Sequence, residues 1–367
     1  MRKSAVDAEL LLKVSARLGD AAIDPAIWPD IMEEISAAAG ASGAVLLQSD
    51  ARTANVPRSA GVEEMIRHYF AAGWHTRDLR AERGVPLLMR GEKVVTDEDI
   101  VTPEETRRSS YYAEAVAPFG FQWFAALGFA AGPALWAMVI QRTPRQGQFD
   151  RDDKRVLATI VQRLTETATL SRAVGKAVLS SATNALGLVK QPALVIDRMG
   201  FVLETNSAAD QVFDDDVRIH CRRLIVRDQQ SRYALDKMLD QLRATPDTAA
   251  LAVDPIVVPR RAKRPLLIRV LPVDGAARSP FLGARALLVF SDLQGKSGPQ
   301  PQLLSRIFGL SQAEAKLAVV IAAGHSPQEA AAKLGIARET ARNQLKAVFA
   351  KTGTHRQGEL IALLSAL

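Results

Sequence analysis

A single cysteine in 367 residues, Cys221, leaves the chain without an intramolecular disulfide and without a cluster of thiolate ligands. That usage fits a reducing compartment, so a cytoplasmic location is expected. The five histidines, His68, His75, His220, His325 and His355, are scattered, and none stands four residues from another, so no helical metal pair and no metal site are expected. Catalytic motifs are missing as well. Gly40-Ala41-Ser42-Gly43 is followed by Ala44 where a nucleophile elbow needs glycine, and Gly175-Lys176 has Leu170 where a phosphate-cradling loop needs glycine. The expectation is a protein that is not an enzyme and carries no cofactor.

Export signals are thin. From Met1 to Val14 the only apolar run is Leu10 to Leu12, far less than the core of a signal peptide. Pro118 to Ile140 is the one long apolar stretch, with Gln122 as its single strongly polar side chain, and its length approaches that of a spanning helix. Gly128 and the punctuation Ala131-Gly132-Pro133 break it into two strand-length pieces, which predicts a buried β-hairpin over Gln122 to Ala130 and Ala134 to Arg142 and no membrane partner.

What is present is globular: 48% of residues are apolar and 24% charged, with a net charge of +7. Single cores stop growing well short of this length, so two or three domains are expected, of α+β class. In the first, residues 1–149, Ala26 to Ala39 and Glu63 to Ala72 read as helices and Ala44 to Gln48 as a strand. All four tryptophans lie here, with Tyr69, Tyr111 and Tyr112. Aromatic residues line small-molecule pockets as well as cores, so Tyr69, Trp74, Asp78, Trp123 and Trp136 are the candidate ligand-binding residues. Over residues 150–190, a stripe of Leu157, Ile160, Val161, Leu164 and Ala168 predicts a long connecting helix from Phe149 towards Ala185.

A second α/β block occupies residues 191–293. Ala193 to Asp197 and Phe201 to Thr205 read as strands around the turn Arg198-Met199-Gly200. A short helix from Asn206, a helix over Tyr233 to Ala244 and three strands, Ala252 to Val258, Leu266 to Pro272 and Ala284 to Ser291, follow. This layout resembles the PAS sensory fold. The block before it resembles a GAF-type αβα sensor, and its segment His68-Tyr69, Trp74 and Asp78 is arranged like the ligand domains of LuxR-type regulators, although Asp78 is followed by Leu79 and the full acyl-homoserine-lactone signature is absent. Residues 294–302, within the glycine-, proline- and glutamine-rich stretch QGKSGPQPQ, read as a linker.

The last block, residues 303–367, is punctuated for helices. Ser311-Gln312-Ala313-Glu314 and Ser326-Pro327-Gln328-Glu329 are capping boxes, Gly324, Gly335 and Gly353 are stops, and the turn Gly335-Ile336-Ala337 launches a helix from Arg338 to about Thr352. Two short helices joined through a glycine turn form a helix-turn-helix layout. On the third helix Ala341, Leu345, Val348 and Phe349 make the buried stripe. The opposite side presents Thr340, Asn343 and Lys346, with Arg338 and Arg342 at its edge, the residue types that meet base edges and phosphates in a major groove. Between Pro301 and Leu367 eight basic residues face four acidic ones, so more than half of the chain's excess charge sits in its last fifth.

Leu310-Ser311 with Glu314, Ala323-Gly324-His325-Ser326, Leu334-Gly335-Ile336, Glu339-Thr340-Ala341-Arg342 and Lys351-Thr352-Gly353 together resemble the LuxR-type, or GerE-like, DNA-binding domain. The resemblance implies an all-α four-helix unit with recognition residues Arg338, Thr340, Arg342, Asn343, Lys346 and Lys351, and a last helix from about Arg356 to Leu364 that pairs two subunits. It implies a homodimeric transcriptional regulator that binds double-stranded DNA, controlled by a small-molecule effector or partner at the N-terminal domain, with RNA polymerase as a further partner. The competing reading is a small-molecule sensor whose basic tail docks on a protein such as RNA polymerase without reading DNA.

Overall fold

The computed structural model describes residues 5–50, 54, 56–244, 253–292 and 300–365. It is a mixed α+β architecture with antiparallel sheets and a C-terminal helical region. Contacts divide it into two compact units, Met1–Arg261 with Leu266–Ser291, and Ala262–Pro265 with Asp292–Leu367.

The first unit carries two lobes. In the N-terminal lobe α1 (Ala8–Arg17), α2 (Asp20–Ile23) and α3 (Trp28–Ala38) precede β1 (Gly43–Gln48). Then come α4 (Glu63–Ala71), α5 (Leu79–Met89), β2 (Val94–Thr96), α6 (Asp97–Ile100), α7 (Pro103–Arg108) and the hairpin β3 (Trp123–Ala131) and β4 (Ala134–Arg142). The apolar stretch is thus a hairpin, and among the described residues no helix is long and apolar enough to cross a membrane. Gly132 closes the hairpin at a left-handed φ of +62°, where a Cβ would stand 2.6 Å from the Arg172 guanidinium.

The sheet runs β1-β4-β3-β2, all antiparallel. Strand alternation sorts the apolar residues into two cores. Trp136, Met138 and Ile140 face Trp28, Ile31 and Leu164, whereas Leu135, Ala137 and Val139 face Tyr69, Trp74, Tyr111 and Tyr112 on the other side. The short β2 carries too little alternation to announce itself in sequence.

The connecting helix is broken into α8 (Arg151–Ala158) and α9 (Val161–Leu188), where one continuous helix was expected, and it extends three residues past Ala185. Asp150 caps the start of α8 by accepting from the amides of Asp152 and Asp153. Within α9, Gly175 lets the second lobe approach: a Cβ there would lie 2.7 Å from the carbonyl oxygen of Ala276.

The second lobe comprises β5 (Ala193–Asp197), β6 (Val202–Thr205), α10 (Ser207–Asp210), β7 (Val217–His220), β8 (Arg223–Val226), α11 (Gln229–Ala244), β9 (Ile256–Val258), β10 (Leu266–Pro272) and β11 (Ala284–Asp292). Its five-stranded antiparallel sheet has the order β6-β5-β11-β10-β9. Asn206 ties the lobe to α9, donating to the carbonyls of Thr183 and Gln191 while its Oδ1 accepts from Ala193 and caps α10. The hairpin β7–β8 was not expected. Its tip, Cys221-Arg222, holds two non-glycine residues at positive φ, and the thiol is exposed.

Among its described residues the second unit has five helices, one more than expected: α12 (Pro301–Phe308), α13 (Gln312–Ala322), α14 (Pro327–Leu334), α15 (Arg338–Thr352) and α16 (Gln357–Ser365). Both capping boxes form. Leu304, Leu317, Ile321, Ala341, Leu345, Val348, Leu360 and Leu364 make one core. The extra helix occupies the end of the expected linker: residues 300–302 cap and start α12, and 294–299 lie outside the described residues.

Candidate functional site

In the second unit α14 and α15 are joined by a short turn through Gly335. The amide of Ile336 reaches back to the carbonyl of Ala331, and Gly335 takes a φ of +70° that a side chain would disfavour. The chain then leaves α14 and enters α15 with Ala341, Leu345 and Val348 buried. That anchoring turns Arg338, Thr340, Arg342, Asn343 and Lys346 outward, all exposed. Lys351 stands apart from them. Its Nζ donates to Glu314 Oε2 at 2.7 Å and so staples α15 to the capping box of α13.

Glu314 is held below the usual carboxylate range first by this hydrogen bond from Lys351, then by the amide of Ser311. A depressed carboxylate stabilises the folded state above its ordinary value of 4.5, and the contribution is lost as pH falls through the lowered folded value. Glu314→Gln is therefore expected to unfold with a weaker pH dependence than the parent below about pH 4.5. Thermal melts of the two full-length chains across that range check it.

In the first unit a cavity of about 70 Å³ lies between the sheet and α4, α5 and the π-turn Tyr111–Val116. Met65, Ile66, Leu88, Phe124, Leu135 and Val139 wall it, and small residues such as Ala81, Gly84 and Ala126 leave the space open. Waters need roughly 10–15 Å³ each by this measure, so the space holds several of them or a small apolar body.

Two buried polar sets reach the cavity. In one, Asp78 caps α5 through the Ala81 amide and accepts from Tyr69 at 2.7 Å and from Tyr111. Burial raises the Tyr111 hydroxyl far above its ordinary range, reinforced by the Asp78 carboxylate, so this phenol stays a donor at physiological pH. In the other, Arg80 donates to Asp97 at 3.1 Å, to Gln141 Oε1 at 3.0 Å and to the carbonyl of Gln122 at 2.8 Å. Tyr112 donates to Asp97 Oδ1 at 2.5 Å, and Asp97 Oδ2 accepts the Phe124 amide. Burial works most strongly against the Arg80 charge, but Asp97 together with Tyr112 and Tyr111 outweighs it and holds the guanidinium protonated.

Of the five expected ligand residues, Tyr69 and Asp78 face the cavity together. Trp74 lies one layer behind, edge-on to Tyr111 at 5.9 Å. Trp123 lines a separate groove with Thr102, Arg107 and Gln148. Trp136 borders the cavity, but its ring packs in the opposite core, 5.1 Å from Phe281 of the second lobe. The hairpin register pairs Trp123 with Arg142 and Phe129 with Trp136, so both tryptophans belong to the face of the sheet opposite Phe124, Ala126, Val139 and Gln141, at opposite ends of the hairpin, and neither joins Tyr69 and Asp78. Sequence reasoning missed Arg80, Asp97 and Gln141. The polar pair Gln141-Arg142 closing an otherwise apolar strand was the available signal.

No family model matches the chain, and no curated protein matches it significantly. Among solved structures, the phage VqmA-DPO complex is distantly similar, with a TM-score of 0.22 and 15% identity over 52% of this chain and 90% of that one. The E. coli DhaR(N)-DhaL complex gives a TM-score of 0.25 and 13% identity over 77% of this chain and 87% of that one. Similarity at this level leaves the functional reading to the residues.

Proposed function

We propose that the chain is a sequence-specific DNA-binding transcriptional regulator of the LuxR type, controlled by a ligand or partner sensed in its first unit. The carrying observation is the α14–turn–α15 arrangement, which buries Ala341, Leu345 and Val348 and leaves Arg338, Thr340, Arg342, Asn343 and Lys346 outward on one helix. Small and hydrogen-bonding side chains on such a face suit base edges, and the cations suit phosphates. Ala337 offers no side-chain cap, so the first amides of α15 are available to a phosphate oxygen. Lys351 is already engaged by Glu314 and serves the packing of the unit first.

The sensor reading of the first unit rests on the cavity with its Asp78 and Arg80 sets for the GAF-like lobe. For the PAS-like lobe it rests on the five-stranded sheet and its Asn206-capped helix. Leu170, Val178 and Leu188 are exposed along α9, which supports a helical seam between two copies, and homodimers place recognition helices about 34–36 Å apart on DNA. The role is regulatory, with no enzymatic step.

Selection from a random DNA pool by the full-length chain tests this reading. A palindromic site is expected, with Arg342→Ala and Asn343→Ala each costing about 1–3 kcal/mol on it and relaxing its sequence preference. Log affinity should fall steeply with log salt as phosphates are neutralised. A shallow salt slope with equal losses on every sequence would instead favour a tail that docks on a protein, and a monomer on and off DNA would remove the dimeric mechanism.

A further inference from the structure

The floor of the cavity in the first unit is chemically asymmetric. Gln141 lies on β4 with its side chain on the cavity face and is 4% exposed. Arg80 Nη1 donates to its Oε1 at 3.0 Å. A guanidinium has no acceptor, so this contact settles the orientation of the carboxamide: the oxygen faces Arg80 and the Nε2 amide faces away. Among the described residues no acceptor meets that Nε2. Nε2 is not among the fully buried atoms that lack a partner, so a small molecule can reach this donor although the residue as a whole is 4% exposed.

The charged groups around the cavity are already engaged. Asp78 accepts from Tyr69, Tyr111 and the Ala81 amide. Arg80 is neutralised by Asp97 and shared with Gln122, Gln141 and Tyr112. The rest of the wall is apolar, from Met65 and Ile66 to Leu135 and Val139, apart from Gln48, whose Nε2 donates to Asp50, and Ser49. The open hydrogen-bonding position is therefore a neutral donor at the end of an apolar space, beside a guanidinium whose charge is already met by Asp97.

We propose that this cavity takes a neutral ligand made of an apolar body and one hydrogen-bond acceptor such as a carbonyl, with the acceptor seated on the Gln141 carboxamide. The inference rests on the reading of the first unit as a ligand sensor and adds the chemistry of the ligand and the residue that selects it. A carboxylate is disfavoured because Arg80 is already paired and the Asp78 carboxylate lines the same space. An amine is disfavoured because the Gln141 oxygen is held by Arg80.

Four ring probes on the full-length chain test it: cyclohexanone, toluene, cyclohexylamine and cyclohexanecarboxylate, titrated while amide shifts are followed by NMR. Cyclohexanone is expected to bind roughly fivefold tighter than toluene, the range one net neutral hydrogen bond supplies, with the carboxylate and the amine weakest. Gln141→Glu keeps an oxygen for Arg80 but turns the free donor into an acceptor, so its preference should move from the ketone to the amine. Gln141→Met should bind cyclohexanone and toluene alike, which keeps the question answerable if the glutamate variant fails to fold. Equal binding of ketone and toluene by the parent, or a preference unmoved in both variants, would overturn the role of Gln141 while leaving the cavity as a ligand site. No binding by any of the four probes would overturn the inference together with the sensor reading of this cavity.

Discussion

Replacing Asp153 by alanine is expected to cost about 3–5 kcal/mol of folding stability, the scale for stranding one member of a buried ion pair. Arg142 and Asp153 are both essentially inaccessible to solvent and meet at 2.8 Å. The guanidinium also donates to the carbonyls of Ala39 and Gln148 and lies over the Phe149 ring at 3.7 Å. The other carboxylate oxygen accepts the amides of Ala5 at 3.0 Å and Val6 at 3.3 Å. One carboxylate thus fastens the start of the described chain, the end of β4 and the first turn of α8. Removing it leaves the Arg142 charge in a dry site with only carbonyl dipoles and the Phe149 ring to meet it, and takes one acceptor from the amides of Ala5 and Val6. Chemical denaturation of the full-length chain is the measurement. A loss below about 1 kcal/mol, the range of exposed pairs, would mean that water reaches the site.

Phe281→Ala should be nearly as damaging to stability, about 3–5 kcal/mol by the usual cost of deleting a buried phenylalanine, and should have a second consequence. Phe281 belongs to the loop before β11 in the second lobe, yet it packs edge-on against Trp28, Phe129 and Trp136 at 5.1–5.9 Å in the first lobe's core. Trp136 alternates on β4 with Leu135 and Ala137, which wall the cavity. A ligand that displaces β4 therefore presses on the anchor of the second lobe, because close-packed interiors transmit shifts rather than absorb them. In the alanine variant, hydrogen exchange is expected to show the β5–β11 sheet opening independently of the β1–β4 sheet. If the two sheets still exchange as one cooperative unit, the lobes are held together elsewhere, for example at Gly175 or Asn206, and Phe281 is only packing.

Legibility in the sequence followed the range of the interaction. Helix starts and stops depend on neighbours within four residues, so the boxes at Ser311 and Ser326, the glycine stops and the full span Arg338–Thr352 could be read directly, and the outward face of α15 followed from its 3.6-residue period. The hairpin from Trp123 to Arg142 was readable for the same reason, because Gly132-Pro133 and the alternation around it are local. Short strands such as β2, β7 and β8 were not, since three or four residues carry too little periodic signal and owe their pairing to partners distant in the chain. The cavity was half legible: Tyr69 and Asp78 are nine residues apart and meet across one short connection, whereas Arg80, Asp97 and Gln141 converge from three elements.

The sequence by itself thus determined the helical unit, the outward basic face of its α15 and the existence of a buried hairpin ahead of it. Only the tertiary structure decided which aromatic residues share a face, which cations are already paired, as Lys351 is with Glu314 and Arg80 with Asp97, and which side chains surround the cavity. The physical reason is that helix capping and amphipathic period are satisfied within a few residues of chain, while the partner of a buried charge or amide is set by the register of strands and the packing of distant helices.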